Sequence, residues 1–414
     1  MTEGMQHETN TLPCGLRVVC APRRSQVVYC GIAVDAGTRD ELQEESGMAH
    51  FTEHMTFKGT ARRSPRQIIT RMESVGGDLN AYTGKEETVF YCTTLRPHLA
   101  RAIELLLDIT LHSTYPQREM DREVEVVIDE IESYNDSPSE LIYDEFESLL
   151  FAGHPLGRNI LGEAEGLRQL TSTDMLAFTK RLYRPQRMVL FVYGDVEMKQ
   201  VCRLAESHLQ DLAVGPQPDA ARTPFTAPQT DAPQHVVRQR DTHQAHVMIG
   251  TRCFGAEDPR QLSLFMLNNL LGGPGMSSRL NMALRERNGL VYTVESSLTN
   301  YTDTGVWCVY YGCDHKDVNR CRHLVQHELR RLTEAPLSGR AMEAVRRQLK
   351  GQIGASYDNA ENVAIGMAKR FLHYGRTQTM EQLFERIDSL TPEQLWQTAQ
   401  EVFAPQNLLT LVYE

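Results

Sequence analysis

Positive charge is what this 414-residue chain has too little of: 43 lysines and arginines face 54 aspartates and glutamates, a formal charge of −11. A protein that tracks phosphate backbones needs the opposite balance, so nucleic acid is not an expected partner. No polybasic run offers itself to an anionic membrane surface, and no apolar run approaches the roughly 20 residues needed to span a bilayer. The first residues, MTEGMQHETNTLPCG, carry neither the charged start nor the apolar stretch of a secretory signal, which gives the expectation of a cytoplasmic protein. Cysteine pairs at ribbon spacing are missing as well. The nine cysteines are odd in number and scattered without a C-x-x-C, so they indicate reduced, mostly buried thiols rather than a zinc ribbon or a disulfide framework.

What is present is the balance of a globular protein, 41% hydrophobic and 23% charged, in a chain too long for one ordinary core. Its organisation emerges when residues 170–194, LTSTDMLAFTKRLYRPQRMVLFVYG, are laid without gaps on 390–414, LTPEQLWQTAQEVFAPQNLLTLVYE. Leu-Thr opens both, Pro185-Gln186 meets Pro405-Gln406, and Val192-Tyr193 meets Val412-Tyr413. A similar offset relates 17–32 to 235–250, so the first and last segments of two units recur about 220 residues apart. Between them, residues 214–234 hold five of the 18 prolines and little apolar periodicity. The expected domains are therefore 1–213, a linker at 214–234, and 235–414.

Within the first unit the pattern predicts two β-rich runs over 17–36, a helix around HFTEH, and a helix over 65–75 with Ser64 as N-cap, Pro65 at its first turn and Gly76-Gly77 ending it. Strands over 79–94, long helices and the strand RMVLFVY follow, and the second unit repeats the order. Strands gathered early, helices later and a closing strand predict an α+β fold, each unit a mostly antiparallel sheet with helices packed on one face.

HFTEH, residues 50–54, is the chemical signal. On a helix, His50, Glu53 and His54 project into one sector roughly 100° wide, and two imidazoles four residues apart can meet one cation at about 2 Å, the usual donor and distance for zinc. A catalytic zinc with three protein ligands keeps a fourth position for water, and a carboxylate such as Glu53 can take a proton there. The spacing alone also admits two exposed helix histidines with ordinary surface charge. A third ligand is sought in DREVEVVIDEIESY, where Val124, Val127, Ile128 and Ile131 define a buried stripe and Glu123 and Glu130, seven apart, lie on its edge. Periodicity leaves two readings for that edge, a carboxylate reaching inward or a solvated charged face.

The inverted motif His50-x-x-Glu53-His54 followed by Glu130 resembles the inverzincin zinc peptidases of the pitrilysin and insulinase type, and in size the short branch of the mitochondrial processing peptidases. AGTRDE (36–41), GMAHFTEHMTFKGT (47–60), GGDLNAYTGKEETVFY (76–91) and HPLGRNILG (154–162) carry the likeness through the chain. The resemblance implies two homologous α/β sandwich domains that form half of a clamshell. It implies one Zn²⁺ per chain held by His50, His54 and Glu130, Glu53 as general base, and Glu123 as the carboxylate supporting the site. Asn80 and Ala81, in LNAYT, would belong to an edge strand that pairs with the backbone of an extended peptide.

The second unit carries no metal set, since residues 269–273 read NLLGG and the position equivalent to Glu130 falls near Lys350. It carries Arg285 and Tyr292 in SSRLNMALRERNGLVY, and the resemblance assigns this pair to the substrate, where a guanidinium and a phenol can steady an oxyanion. The expected activity is hydrolysis of short or unfolded peptides in a closed chamber. The expected assembly is a homodimer, or a heterodimer with a metal-free homologue, with Arg285 and Tyr292 serving the partner's metal. The alternative is a non-catalytic scaffold or partner subunit that keeps the fold without hydrolysis.

Overall fold

The computed structural model describes residues 7–210, 222, 224–226 and 235–414. Apart from Arg222 and residues 224–226, the proline-rich segment expected as a linker lies outside the described residues.

The first sheet is built from β1 (Glu8–Thr11), β2 (Arg17–Pro22), β3 (Val27–Val34), β4 (Asp78–Thr83), β5 (Thr88–Leu95) and β6 (Met188–Gly194), in the order β1-β2-β6-β3-β5-β4. The second contains β7 (His235–Arg238), β8 (Ala245–Phe254), β9 (Val291–Asn300), β10 (Thr304–Cys313) and β11 (Leu409–Tyr413), in the order β7-β11-β8-β10-β9. Removing β1 leaves the same order in both. In each, one parallel pair, β2 with β6 and β7 with β11, sits in an otherwise antiparallel ladder. The duplication read from the sequence is thus a duplication of topology, and the fold is α+β as expected.

Alternation in the closing strand explains how each sheet is covered. Every residue of β6 is buried. Met188, Leu190 and Val192 point into the core formed with α1 (Met48–Thr56), α2 (Pro65–Glu73) and α3 (Leu99–Leu111), while Val189, Phe191 and Tyr193 point to the opposite face. That opposite face is covered by a single helix, Ala360–Tyr374, through Ala364, Met367, Ala368, Phe371 and Leu372. The second sheet is treated the same way: its outer face packs Met248, Leu409, Leu411 and Tyr413 against Ile142, Phe146 and Leu150 of α5 (Pro138–Leu150), which follows α4 (Gln117–Asn135). A strand that is apolar on both sides needs a cover on both sides. One face of each sheet carries several helices, and one borrowed helix closes the other.

The compact units therefore do not coincide with the contiguous halves 1–213 and 235–414. One comprises Met1–Ile131, Arg158–Thr223 and Ser356–Glu381; the other comprises Glu132–Gly157, Pro224–Ala355 and Gln382–Glu414. All nine cysteines are free, and eight of them are buried. No helix among the described residues is long and apolar enough to cross a membrane.

Candidate metal centre

Helix α1 starts at Gly47, whose φ of 85° suits a residue without a Cβ. Its first turn is fastened by the buried carboxylate of Glu41, which accepts hydrogen bonds from Gly47 N at 3.2 Å and Ala49 N at 2.8 Å. Met48, Phe51 and Met55 are buried in the core. That packing fixes the rotation of α1 and leaves His50, Glu53 and His54 on its other flank.

Glu130 comes to them from α4, where Val124, Val127 and Ile128 are buried as the stripe requires. Its Oε2 lies 3.5 Å from His54 Nε2 and 3.8 Å from His50 Nε2. The carboxylate does reach inward. Among the described residues these three form one group whose ligand atoms all lie within 4.8 Å of one another. Ligands about 2.0–2.2 Å from a tetrahedral ion stand roughly 3.3–3.6 Å apart; the 3.5 Å separation falls in that range and the 3.8 Å one just above it, both longer than a typical direct hydrogen bond. Two imidazoles and one carboxylate are a donor set that zinc takes, and the residues fit the metal.

The electrostatics of His50 agree with that fit. Burial, reinforced by the neighbouring His54, pushes His50 down to about 4, which keeps it the neutral imidazole a metal needs. His54 is more basic than usual: burial works against its charge, but the hydrogen bond to Glu123 and the carboxylates of Glu53 and Glu130 outweigh it. Glu123 Oε1 is 3.1 Å from His54 Nδ1, and its Oε2 is 2.5 Å from Lys58 Nζ. With Nδ1–H donated to Glu123, His54 presents the lone pair of Nε2 toward Glu130.

Glu53 stands on the same flank of α1, and its carboxyl is pushed up by burial while a 2.5 Å hydrogen bond from Thr83 Oγ1 offsets part of the shift. Beside it opens a cleft of about 330 Å³ lined by Glu53, His54, Phe57, Lys58, Asn80, Ala81 and Glu123, among others. Asn80 and Ala81 belong to β4, the edge strand of the first sheet, which pairs on one side only with β5.

Five of the nine sequence-derived site residues, Glu53, His54, Asn80, Ala81 and Glu123, thus line one cleft, and His50 and Glu130 cluster with His54 at its edge. Arg285 and Tyr292 lie in the other compact unit. Arg285 is in the π-helical segment Asn281–Glu286, Tyr292 is the second residue of β9 and is 82% exposed, and the guanidinium sits 5.6 Å from the centre of the phenol ring. The two are neighbours in space. Thr83 and Lys58 were missed by sequence reasoning. Both stand in stretches that the family likeness singles out, but a hydroxyl or an ammonium carries no spacing signature of its own.

Comparison with known proteins places this site in a lineage. The profile of the insulinase family, peptidase family M16, matches residues 17–164, and the profile of the peptidase M16 inactive domain matches 169–349. An uncharacterized zinc protease of Mycobacterium leprae is 32% identical over 93% of this chain and 86% of its own length. The chain belongs to peptidase family M16. Other M16 relatives include the uncharacterized zinc protease YmxG of Bacillus subtilis, 29% identical over 96% of both chains. The human mitochondrial-processing peptidase subunit beta is 31% identical over 92% of this chain and 79% of that protein. A crystal structure of a protease from Helicobacter pylori shares the M16 fold at a TM-score of 0.92 with 22% identity, covering 99% of this chain and all of that one. The inactive-domain profile falls on a part of the chain where the described residues hold no such candidate metal cluster, and the insulinase profile on the part that carries His50, His54 and Glu130.

Proposed function

We propose that the chain is a zinc-dependent metalloendopeptidase that hydrolyses short or unfolded peptides. The observation that carries this reading is the convergence of His50 Nε2, His54 Nε2 and Glu130 Oε2, from two separate helices, with the partly buried carboxylate of Glu53 on the same flank. Zinc held there supplies Lewis acidity to a water and to a peptide carbonyl. Glu123 keeps His54 in the tautomer that can bind. Glu53, with Oε2 engaged by Thr83, takes the proton of the attacking water at Oε1 and delivers it to the leaving amine.

A peptide laid along β4 would complete the open side of that strand by backbone hydrogen bonds. Such pairing reads the main chain and suits extended substrates of varied sequence. Arg285 and Tyr292 serve the substrate oxyanion in a partner copy of the chain, so the working form is a homodimer. Mixing Glu53→Gln chains with Arg285→Ala chains checks this: active mixtures support sharing between copies, and dimers that stay inactive refute it.

The activity itself is tested by metal analysis and cleavage of a quenched fluorescent peptide. The expected result is about one zinc per chain, cleavage abolished by a chelator, and a loss of roughly 10²–10⁴ in kcat for Glu53→Gln with zinc retained. A chain that binds less than about half an equivalent of zinc and cleaves nothing would instead be the scaffold or partner subunit.

A further inference from the structure

Resting on the reading of Glu53 as the base, we propose that Thr83 is its positioning residue: the edge strand that receives the peptide also aims the carboxylate that activates the water. The bond is short, 2.5 Å from Thr83 Oγ1 to Glu53 Oε2, the range of a hydroxyl donating to an ionised carboxylate. Among the described residues no other side chain hydrogen-bonds to Glu53. One oxygen is therefore occupied and the other left for a proton.

Strand geometry puts the hydroxyl there. Side chains alternate along β4, so Leu79, Ala81 and Thr83 share the face toward α1, and Leu79 and Ala81 pack on the core that α1 helps form. Tyr82 goes to the other face, against the helix Ala360–Tyr374. A slip of one residue would turn Thr83 away from Glu53 altogether. Threonine adds stiffness, because two heavy atoms on Cβ restrict χ1.

The turn that follows makes the slip difficult. Lys85, Glu86 and Glu87 are charged yet no more than 7% exposed. Gly84 N donates to Glu87 O at 2.7 Å, Arg39 N to Lys85 O at 2.8 Å, and Lys85 Nζ to the carbonyl of Arg158. Glu86 is paired with Arg39 at 2.7 Å, and Glu87 with Lys369 at 2.5 Å and His373 at 3.0 Å. Arg222 reaches the same turn, donating to the Glu86 carbonyl. Buried charges that are paired resist separation, since moving one leaves its partner uncompensated. So much ionic anchoring on a four-residue turn holds the last residue of β4 in place, and that residue is Thr83.

The test compares Thr83→Ser, which keeps the donor, with Thr83→Val, which keeps the shape and removes it. Each is made alone and with Glu53→Gln, and each is assayed for zinc content, melting temperature, KM and kcat on a quenched peptide. Thr83→Ser is expected within about threefold of wild type, and Thr83→Val to lower kcat about 10- to 100-fold with KM and zinc content unchanged. In the Glu53→Gln background Thr83→Val should add nothing, because its effect runs through the missing carboxylate. Crystals of metal-free Thr83→Val should show the Glu53 side chain moved or split between rotamers. Wild-type kcat in Thr83→Val with Glu53 in place would overturn the proposal, as would an equal further loss in the Glu53→Gln background. Should Glu53→Gln turn over like wild type, the reading of Glu53 as base fails, while the metal-free crystals still report whether Thr83 sets its orientation.

Discussion

Glu123 accepts a hydrogen bond from His54 Nδ1 at 3.1 Å, and that single contact determines which nitrogen of the ring looks toward Glu130. Burial would push the Glu123 carboxyl up, but His54 and Lys58 hold it below the usual range, so it stays an acceptor at neutral pH. Glu123→Gln should therefore weaken zinc binding about 10- to 100-fold while leaving the fold intact. Competition against a chromophoric chelator measures this; an unchanged affinity would mean that His54 needs no help to orient.

Glu130 is the more dispensable of the carboxylates for folding and the less dispensable for metal. Its side chain is 45% exposed, and its near neighbours are the two imidazoles. Glu130→Ala is expected to shift stability by no more than about 0.5 kcal/mol in the presence of chelator, while zinc content falls below about half an equivalent. A variant that keeps full zinc content would remove Glu130 from the site.

The helix Ala360–Tyr374 covers the outer face of the first sheet, with Phe371 at 6% exposure among Val19, Ala33 and Phe191. A fragment ending at residue 213 lacks that cover and exposes a continuous apolar surface. It should aggregate or fail to unfold cooperatively, even though it contains His50, His54 and Glu130. In the intact chain Phe371→Ala should cost about 3–5 kcal/mol. A soluble 1–213 fragment with a sharp denaturant transition would show that the borrowed helix is not needed.

The turn after β4 gives a pH signature. Burial alone would raise the Glu87 carboxyl, but the hydrogen bond with His373 and the charge of Lys369 bring it down to about 2, against an ordinary 4.5. A depressed carboxylate stabilises the fold above its unfolded pKa, and the contribution disappears as pH falls from about 4.5 to about 2. The stability gap between wild type and Glu87→Gln should be about 2–3 kcal/mol near pH 6 and close to zero near pH 2. Urea titrations across that range decide it, and a gap that does not narrow would place the stabilisation elsewhere.

The metal set was legible because helical spacing and ligand chemistry coincide in HFTEH, and because the apolar stripe of α4 fixes which way its edge residues look. Periodicity alone could not choose between Glu130 reaching inward and Glu130 as a solvated charge; the packing of α4 beside α1 brings its carboxylate to His50 and His54. The topology was half legible. Matching 170–194 with 390–414 revealed the duplication, but the expectation of helices on one face missed the second cover that the fully buried strand Met188–Gly194 requires. Nothing in the apolar pattern of 138–150 or 360–374 says which sheet each helix will meet, since amphipathicity specifies a buried face and not its address. Thr83 was out of reach for a similar reason: its hydroxyl gains meaning from a partner thirty residues away.

That exchange of helices carries a further consequence. A polypeptide of half this length could close both faces of its sheet only by trading a helix with a twin, an association that dilution would dissolve. Joining two such copies end to end turns the trade into an internal event, governed by the effective concentration the tether imposes. Every newly made chain then brings its own covering helix with it.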